Sequence, residues 1–253
     1  MSAMTFAAFV FIATFLAALA GFRLQKSVPT SFTDDATEGN VKVVLGMLSM
    51  LTAVVLGFVT SDSKQSFDKA AGIVSDNAAR LVSMDQSLAA FGPAALPIRK
   101  QIKQSTEDWI ERIKSPLGDA DADLGAVERG RQYEAVVTAI AELKPENTAQ
   151  ERAQARATEQ AAALQHDRWV LTTERVAQSP TIFLSILLAW FAIEFFIFGL
   201  FANRNAVVTM ATIFACVTMA SSIYLILELE GPMTGQLRIP TRPLERAAAI
   251  MQH

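Results

Sequence analysis

A chain of 253 residues, 51% of them apolar, with a formal net charge of −3 has no basic excess with which to neutralise phosphates, so nucleic acid is excluded as a partner. Its single cysteine, Cys216, excludes an intrachain disulfide. His166 and His253 stand far apart, and no phosphate loop, nucleophile elbow or zinc spacing occurs; the sequence therefore points to no enzyme, no metal and no cofactor.

The apolar residues are concentrated in four runs, Met4–Phe22, Val41–Thr60, Pro180–Ala202 and Ala206–Leu227. The first and fourth carry no charge, the second only Lys42 at its edge, and the third only Glu194. About 20 apolar residues in a helix cross the ~30 Å hydrocarbon core of a bilayer. Four such runs predict an all-α integral membrane protein. The first could be taken for a signal peptide ending at Ala18-Leu19-Ala20, but "MSAMT" lacks the positive start of such peptides, and a retained membrane helix is the preferred reading.

The runs pair into two hairpins. Residues 23–40, with Pro29 and Gly39, predict an irregular loop between the first two, whereas Asn203-Arg204-Asn205 is short enough to force the last two antiparallel. The expected layout is a hairpin over 1–60 (spans about 4–22 and 41–60), a helical extramembrane domain over 61–179, a second hairpin over 180–229 (spans about 180–202 and 206–227), and a tail over 230–253 packing on the helical domain.

Within the insert, Phe67, Ala71, Val74, Ala78, Leu81 and Leu88 fall at helical spacing and extend the second span until Phe91-Gly92-Pro93. Ile98, Ile102, Trp109 and Ile113 mark a second helix, closed by Pro116-Leu117-Gly118. Tyr133, Val136, Val137 and Ile140 mark a third, and an Ala-rich charged stretch at about 147–176 a fourth. Asp119–Glu128 is acidic but fails as a calcium loop, because Leu124 and Gly130 stand where Gly and Glu are required; an acidic helix start is the reading. In the tail, Pro240 and Pro243 precede a short amphipathic helix with Leu244, Ala248 and Met251.

Lys64, Lys69, Arg168, Arg175, Arg238 and Arg242 lie on the insert side of the membrane, against Arg23, Lys26, Lys42 and Arg204 on the other. The positive-inside rule then puts the insert in the cytoplasm of a cell with an inner membrane, although Arg23 and Lys26 after the bare first span point the other way.

Two features of the spans bear on function. Gly46, Ser49, Ala53, Gly57 and Thr60, with Met50 beside them, share one face of the second span, opposite Leu48, Val55 and Val59. Small residues let helices approach closely in lipid, and they also suit the wall of a water-filled path in an oligomer. Thr209, Thr212, Cys216, Thr218, Ser221 and Ser222 are scattered over the fourth span, where hydroxyls can bond the i−4 carbonyl.

Glu194 sits about one turn from the middle of its span, where a carboxylate costs about 2.5–3.5 kcal/mol on insertion scales. Leu187, Phe191, Phe198 and Phe201 are expected on its face, with Ser185, Ala189, Ala192 and Gly199 elsewhere. That face should pack against protein and give Glu194 a hydroxyl or backbone partner. The functional reading is a proton- or ion-linked site; the alternative is a carboxyl that holds helices together.

Three stretches resemble the bestrophin-like domain-of-unknown-function family of bacterial membrane proteins. They are Gly231-Pro232-Met233 with Gly235, Leu237-Arg238-Ile239 and Pro243-Leu244 after the last span; Val55–Asp68 after the second; and Asp167–Pro180 before the third. Where the family has Arg-Tyr-Asp, this sequence has Ser66-Phe67-Asp68, so no role of that arginine carries over. The resemblance implies kinship to bestrophins, pentameric anion channels of four spans with a helical insert between the second and third. Those channels line their pore with the second span and narrow it with bulky apolar residues, for which this span offers Met50 and Phe58.

The expectation is a homo-oligomeric ion channel in the lipid bilayer, a pentamer or tetramer, with Gly46, Ser49, Met50, Ala53, Gly57 and Thr60 lining its pore. The alternative is a non-conducting scaffold or sensor whose helical domain binds partner proteins, and a third reading is a transporter using Glu194.

Overall fold

The computed structural model describes residues 3–27, 29, 35–114, 133–177, 181–203, 205–231 and 236–251. The acidic stretch Asp119–Glu128, the turn Pro116-Leu117-Gly118, Arg204, Pro232-Met233 and Gly235 lie outside them. Among the described residues every regular element is helical: α1 (Ala3–Leu24), α2 (Asp35–Phe91), α3 (Leu96–Lys114), α4 (helical over 133–141), α5 (Thr148–Ala177), α6 (Thr181–Phe201), α7 (Ala206–Glu230) and α8 (Arg242–Ile250). The chain divides into two compact units, Met1–Ser66 with Ser179–Glu230, and Phe67–Gln178 with Gly231–His253. Four helices, α1, α2, α6 and α7, are long and apolar enough to cross a membrane.

In the first unit α1, α6 and α7 share a core of Val10, Ala18, Leu187, Phe191, Phe195, Cys216 and Ile223, against which Val55, Leu56 and Val59 of α2 pack. The buried stripe of α1 is Val10, Thr14, Ala18 and Gly21, at the three- and four-residue spacing of one helical face. A Cβ added to Gly21 would overlap the carbonyl oxygen of Phe196 and come within 2.8 Å of Leu200 N, and one added to Gly199 would overlap the carbonyl oxygen of Ala18. The two backbones therefore meet at paired glycines, the contact that small residues permit between helices in lipid. The outward faces are apolar, with Phe9, Ile12 and Leu16 on α1 and Met210, Phe214 and Val217 on α7 all exposed.

The expected loop at 23–40 is shorter than the sequence suggests. α2 begins at Asp35, so Gly39 lies inside a helix. Glu38 and Lys42 form an i,i+4 ion pair in the favourable order, which offsets part of the helix cost of that glycine. At its other end α2 stops at Gly92, whose φ of 114° is open to glycine and strained for other residues, followed by Pro93, which cannot continue the ladder.

In the second unit Val74, Ala78, Leu81, Leu88, Ile98, Ile102, Ile140, Ala157, Leu164, Leu244 and Met251 form one buried core. Helix C-termini leave carbonyls unbonded, and here long side chains from other elements reach them. Gln150 Nε2 donates to Phe91 O at 3.0 Å, Gln154 Nε2 to Ile140 O at 2.8 Å, and Arg238 Nη1 to Ile113 O at 3.0 Å. Asp85 accepts two hydrogen bonds from Arg99, at 2.8 and 2.9 Å, joining α2 to α3.

α8 is held to the end of α3 by an ion pair, Lys114 Nζ to Glu245 Oε1 at 2.7 Å, and Thr241 Oγ1 donates to the same oxygen at 2.8 Å. Lys114 first, and Thr241 next, hold the Glu245 carboxyl below its ordinary range. A depressed folded-state value means that the contribution is fully present above the ordinary carboxylate range and is lost as pH falls through the folded value. Hydrogen exchange of the α8 amides should therefore quicken on acidification below that range, and Glu245→Gln should remove this dependence.

Candidate functional site

Over its apolar half α2 shows three faces. Up to Ser66, its only fully buried residues among those whose side chains are described are Thr52 and Ser63, eleven positions apart and so nearly eclipsed on the helix. Val55, Leu56 and Val59 flank them. About 110° round the helix lies the small-residue stripe: Gly46, Ser49, Met50, Ala53 and Gly57 are exposed, while Thr60 is half-buried and donates to Leu56 O at 2.8 Å. Beyond it comes a face of large apolar residues, Val43, Val44, Met47, Leu51, Val54 and Phe58, all exposed.

A Cβ on Gly46 or Gly57 would meet nothing within 4 Å. The stripe thus makes no close helix contact at its glycines within its own chain; Gly21 and Gly199 make that contact instead. Met50 and Phe58 are equally open, each 72% exposed, but they point apart. Met50 borders the stripe, and Phe58 belongs to the apolar face.

Glu194 is buried, 9% exposed, on the face of α6 that carries Leu187, Phe191 and Phe195. Thr52 Oγ1 lies 2.6 Å from Glu194 Oε1 and 2.9 Å from Leu48 O. A threonine hydroxyl has one proton, so it can donate to only one of these acceptors at a time. The aromatic face expected for Glu194 is half right. Leu187 and Phe191 are fully buried, but Phe198 is 38% exposed and Gly199 is buried in its place. Backbone contact with α1 at Gly199 fixes the rotation of α6, and a ring at that position would prevent it.

Ser63 Oγ donates to Glu230 Oε1 at 3.3 Å. Both buried residues of α2 in this unit are therefore hydroxyls facing an acid, one from α6 and one from α7. Sequence reasoning missed Thr52, Ser63, Glu230 and the glycine pair. Thr14, Ala18 and Gly21, small residues three or four apart, were the readable signal for the last. The hydroxyls of Thr209, Thr212, Thr218, Ser221 and Ser222 each bond a carbonyl four residues back. Among the described residues no group of three His, Cys, Asp or Glu could hold a metal ion.

Among the described residues, four long apolar helices with outward-facing aliphatic and aromatic side chains, and the buried acid Glu194 well inside one of them, define the class of helical membrane proteins. More specifically, the Bestrophin-like domain family matches residues 12–244, and the chain belongs to the bestrophin-like family. Its fold is similar to the crystal structure of a point mutant of a bacterial bestrophin homologue from Klebsiella pneumoniae, with a TM-score of 0.65, 17% identity, and coverage of 96% of this chain and 97% of that one. It is also similar to a mutant form of a membrane protein, with a TM-score of 0.66, 16% identity, and coverage of 97% and 96%. At such identities the likeness concerns the fold. No curated protein matches the sequence.

Proposed function

We propose that the chain assembles with copies of itself into a membrane ion channel in which α2 lines a shared central path. The observation that carries this reading is the uncovered small-residue face of α2. The span beneath it is apolar enough for lipid, yet Gly46, Ser49, Ala53 and Gly57 present little side chain and are exposed. In a monomer in lipid, such a face would leave Ser49 and the backbone at the glycines against hydrocarbon, with nothing gained. Around an axis, the same face leaves room for water and ions, and the large apolar face beside it is available to neighbouring copies or to lipid.

The bilayer takes about 20 residues of α2, those near 41–60. The exposed charges Asp62, Lys64, Asp68 and Lys69 that follow mark its exit into water. On this reading α1, α2, α6 and α7 all cross the membrane as two hairpins, and residues 61–179 form an extramembrane helical domain on the cytoplasmic side of a bacterial inner membrane. Anion conduction is the expectation that family membership adds. Met50, the one bulky apolar side chain bordering the stripe, is the residue expected to narrow the path.

Planar-bilayer recording of the reconstituted protein tests the reading. Unitary currents are expected, and Ala53→Trp, which fills the stripe at an exposed position, should abolish them while the oligomer still elutes intact. If the oligomer conducts no ion under any pH or voltage, the non-conducting scaffold replaces the channel, and the stripe becomes a contact between copies.

A further inference from the structure

Two hydroxyl–acid pairs, beside the apolar packing of Val55, Leu56 and Val59, seat the membrane half of α2 on its own chain. Thr52 meets Glu194, and Ser63, about 16 Å further along the helix, meets Glu230. The first pair lies within the apolar core, with Thr52 2% and Glu194 9% exposed. We propose that Glu194 is a proton-binding positioning residue, and that its protonation sets how α2 sits against α6. The proposal deepens the channel reading and rests on it for its consequence, since a helix that turns or lifts carries the small stripe with it.

The hydrogen-bond count gives the mechanism. With a proton on Glu194, the carboxyl O–H donates to Thr52 Oγ1, and Thr52 donates to Leu48 O; both observed contacts, 2.6 and 2.9 Å, are then proper bonds. Without that proton, the Thr52 hydroxyl turns from Leu48 O to the carboxylate. One hydrogen bond is lost, and a buried charge is left with a single donor. Such a charge is costly unless further hydrogen bonds reach it. Water is the available donor. The side of α2 next to Thr52 is the one with Ser49 and Ala53, small and exposed, so lifting or turning α2 there opens the shortest route for it.

Few other groups can compete for control of this site. α7 brings Cys216 to the same core, and α1 brings Thr14, whose hydroxyl bonds Val10 O at 2.9 Å. On α2 the nearest charges are Lys42 and Asp62, each ten residues from Thr52, or about 15 Å along the helix. Arg23, Glu228 and Glu230 stand at the ends of α1 and α7. Glu194 makes no ion pair with any described residue.

Pulsed-EPR distances test the proposal without relying on conduction. Nitroxides are placed at Phe58→Cys on α2 and Ile186→Cys on α6, both exposed positions. The labels are carried on the full chain in nanodiscs, diluted with unlabelled chains, in a Cys216→Ala background that also removes the thiol as a titrating group. The distance distribution should shift by several ångströms between acidic and alkaline buffer. Glu194→Gln should hold the low-pH distribution at every pH. Glu194→Met, which removes the proton site and keeps the side-chain length, should likewise abolish the shift, and it serves if the first variant fails to fold. A distribution that ignores pH in the unsubstituted chain overturns the proposal, as does a pH response that survives Glu194→Gln or Glu194→Met. A pH-dependent distance in a protein that carries no current would sink the channel reading and leave this one standing.

Discussion

Alanine at Gly199 should destabilise the protein by about 1–3 kcal/mol or more, the range for overpacking a close-packed contact. The added methyl falls on the carbonyl oxygen of Ala18, a backbone atom that no rotamer change can move aside. α1 must shift away from α6, and Thr14, Ala18 and Phe191 lose contact together. Gly21→Ala meets Phe196 O in the same way and should behave alike. Because the two sites share one interface, the double variant should cost less than the sum. The control lies within the same protein. A Cβ at Gly46 or Gly57 meets nothing within 4 Å, so alanine there should be neutral in the isolated chain or stabilise by up to about 1 kcal/mol, through helix propensity. Thermal unfolding in detergent separates the two pairs. Equal effects at Gly57 and Gly199 would mean that the α1–α6 contact is misplaced.

Arg99→Met should destabilise the second unit by roughly 3 kcal/mol, the lower end of the range for breaking a buried ion pair. Asp85→Asn should cost clearly less. The asymmetry follows from exposure: the Asp85 side chain is 6% exposed and that of Arg99 18%. Removing the arginine takes two hydrogen bonds from a carboxylate in the interior. Removing the carboxylate leaves a guanidinium that still reaches water. Asp85 also raises the Arg99 guanidinium further above its ordinary range. Denaturant unfolding of both variants, followed by the helical signal, gives the comparison; equal costs would contradict the burial of Asp85.

The sequence made some features legible and hid others for physical reasons. Apolar run length marked the four long helices, because a run of that length without charge has few other uses. The seam Val74, Ala78, Leu81 and Leu88 showed which face of α2 is buried in the second unit, because that core follows the ordinary rule of apolar side chains inward. The same rule failed within the first unit. Rings were expected beside Glu194 at Phe198, yet Gly199 takes the inner position. In lipid the exterior is as greasy as the core, so size and not hydropathy decides which residue faces the neighbouring helix. The partner of Glu194 was illegible for a different reason. Several hydroxyls lie in the spans, and choosing Thr52 requires the relative depth of two helices, which no local pattern encodes. The glutamines that reach helix ends were likewise hidden, since nothing in Gln150 or Gln154 names a carbonyl 59 or 14 residues away. Gly39 read as a loop, and the Glu38–Lys42 pair was the overlooked reason to continue the helix.

Thr209, Thr218, Ser221 and Ser222 turn their protons back onto their own helix, so in a bilayer the outer side of α7 would show hydrocarbon little that differs from a run of valines. A surface without outstanding donors has no preferred angular seat among acyl chains, and slippage about its long axis meets only van der Waals friction on that side. The orientation of α7 is thus decided wholly from within, by Cys216, Ala220, Ile223 and Ile226. Exchanging an outer serine for asparagine, whose amide cannot silence itself in that manner, would give lipid or an adjoining subunit a grip that the wild-type sequence withholds.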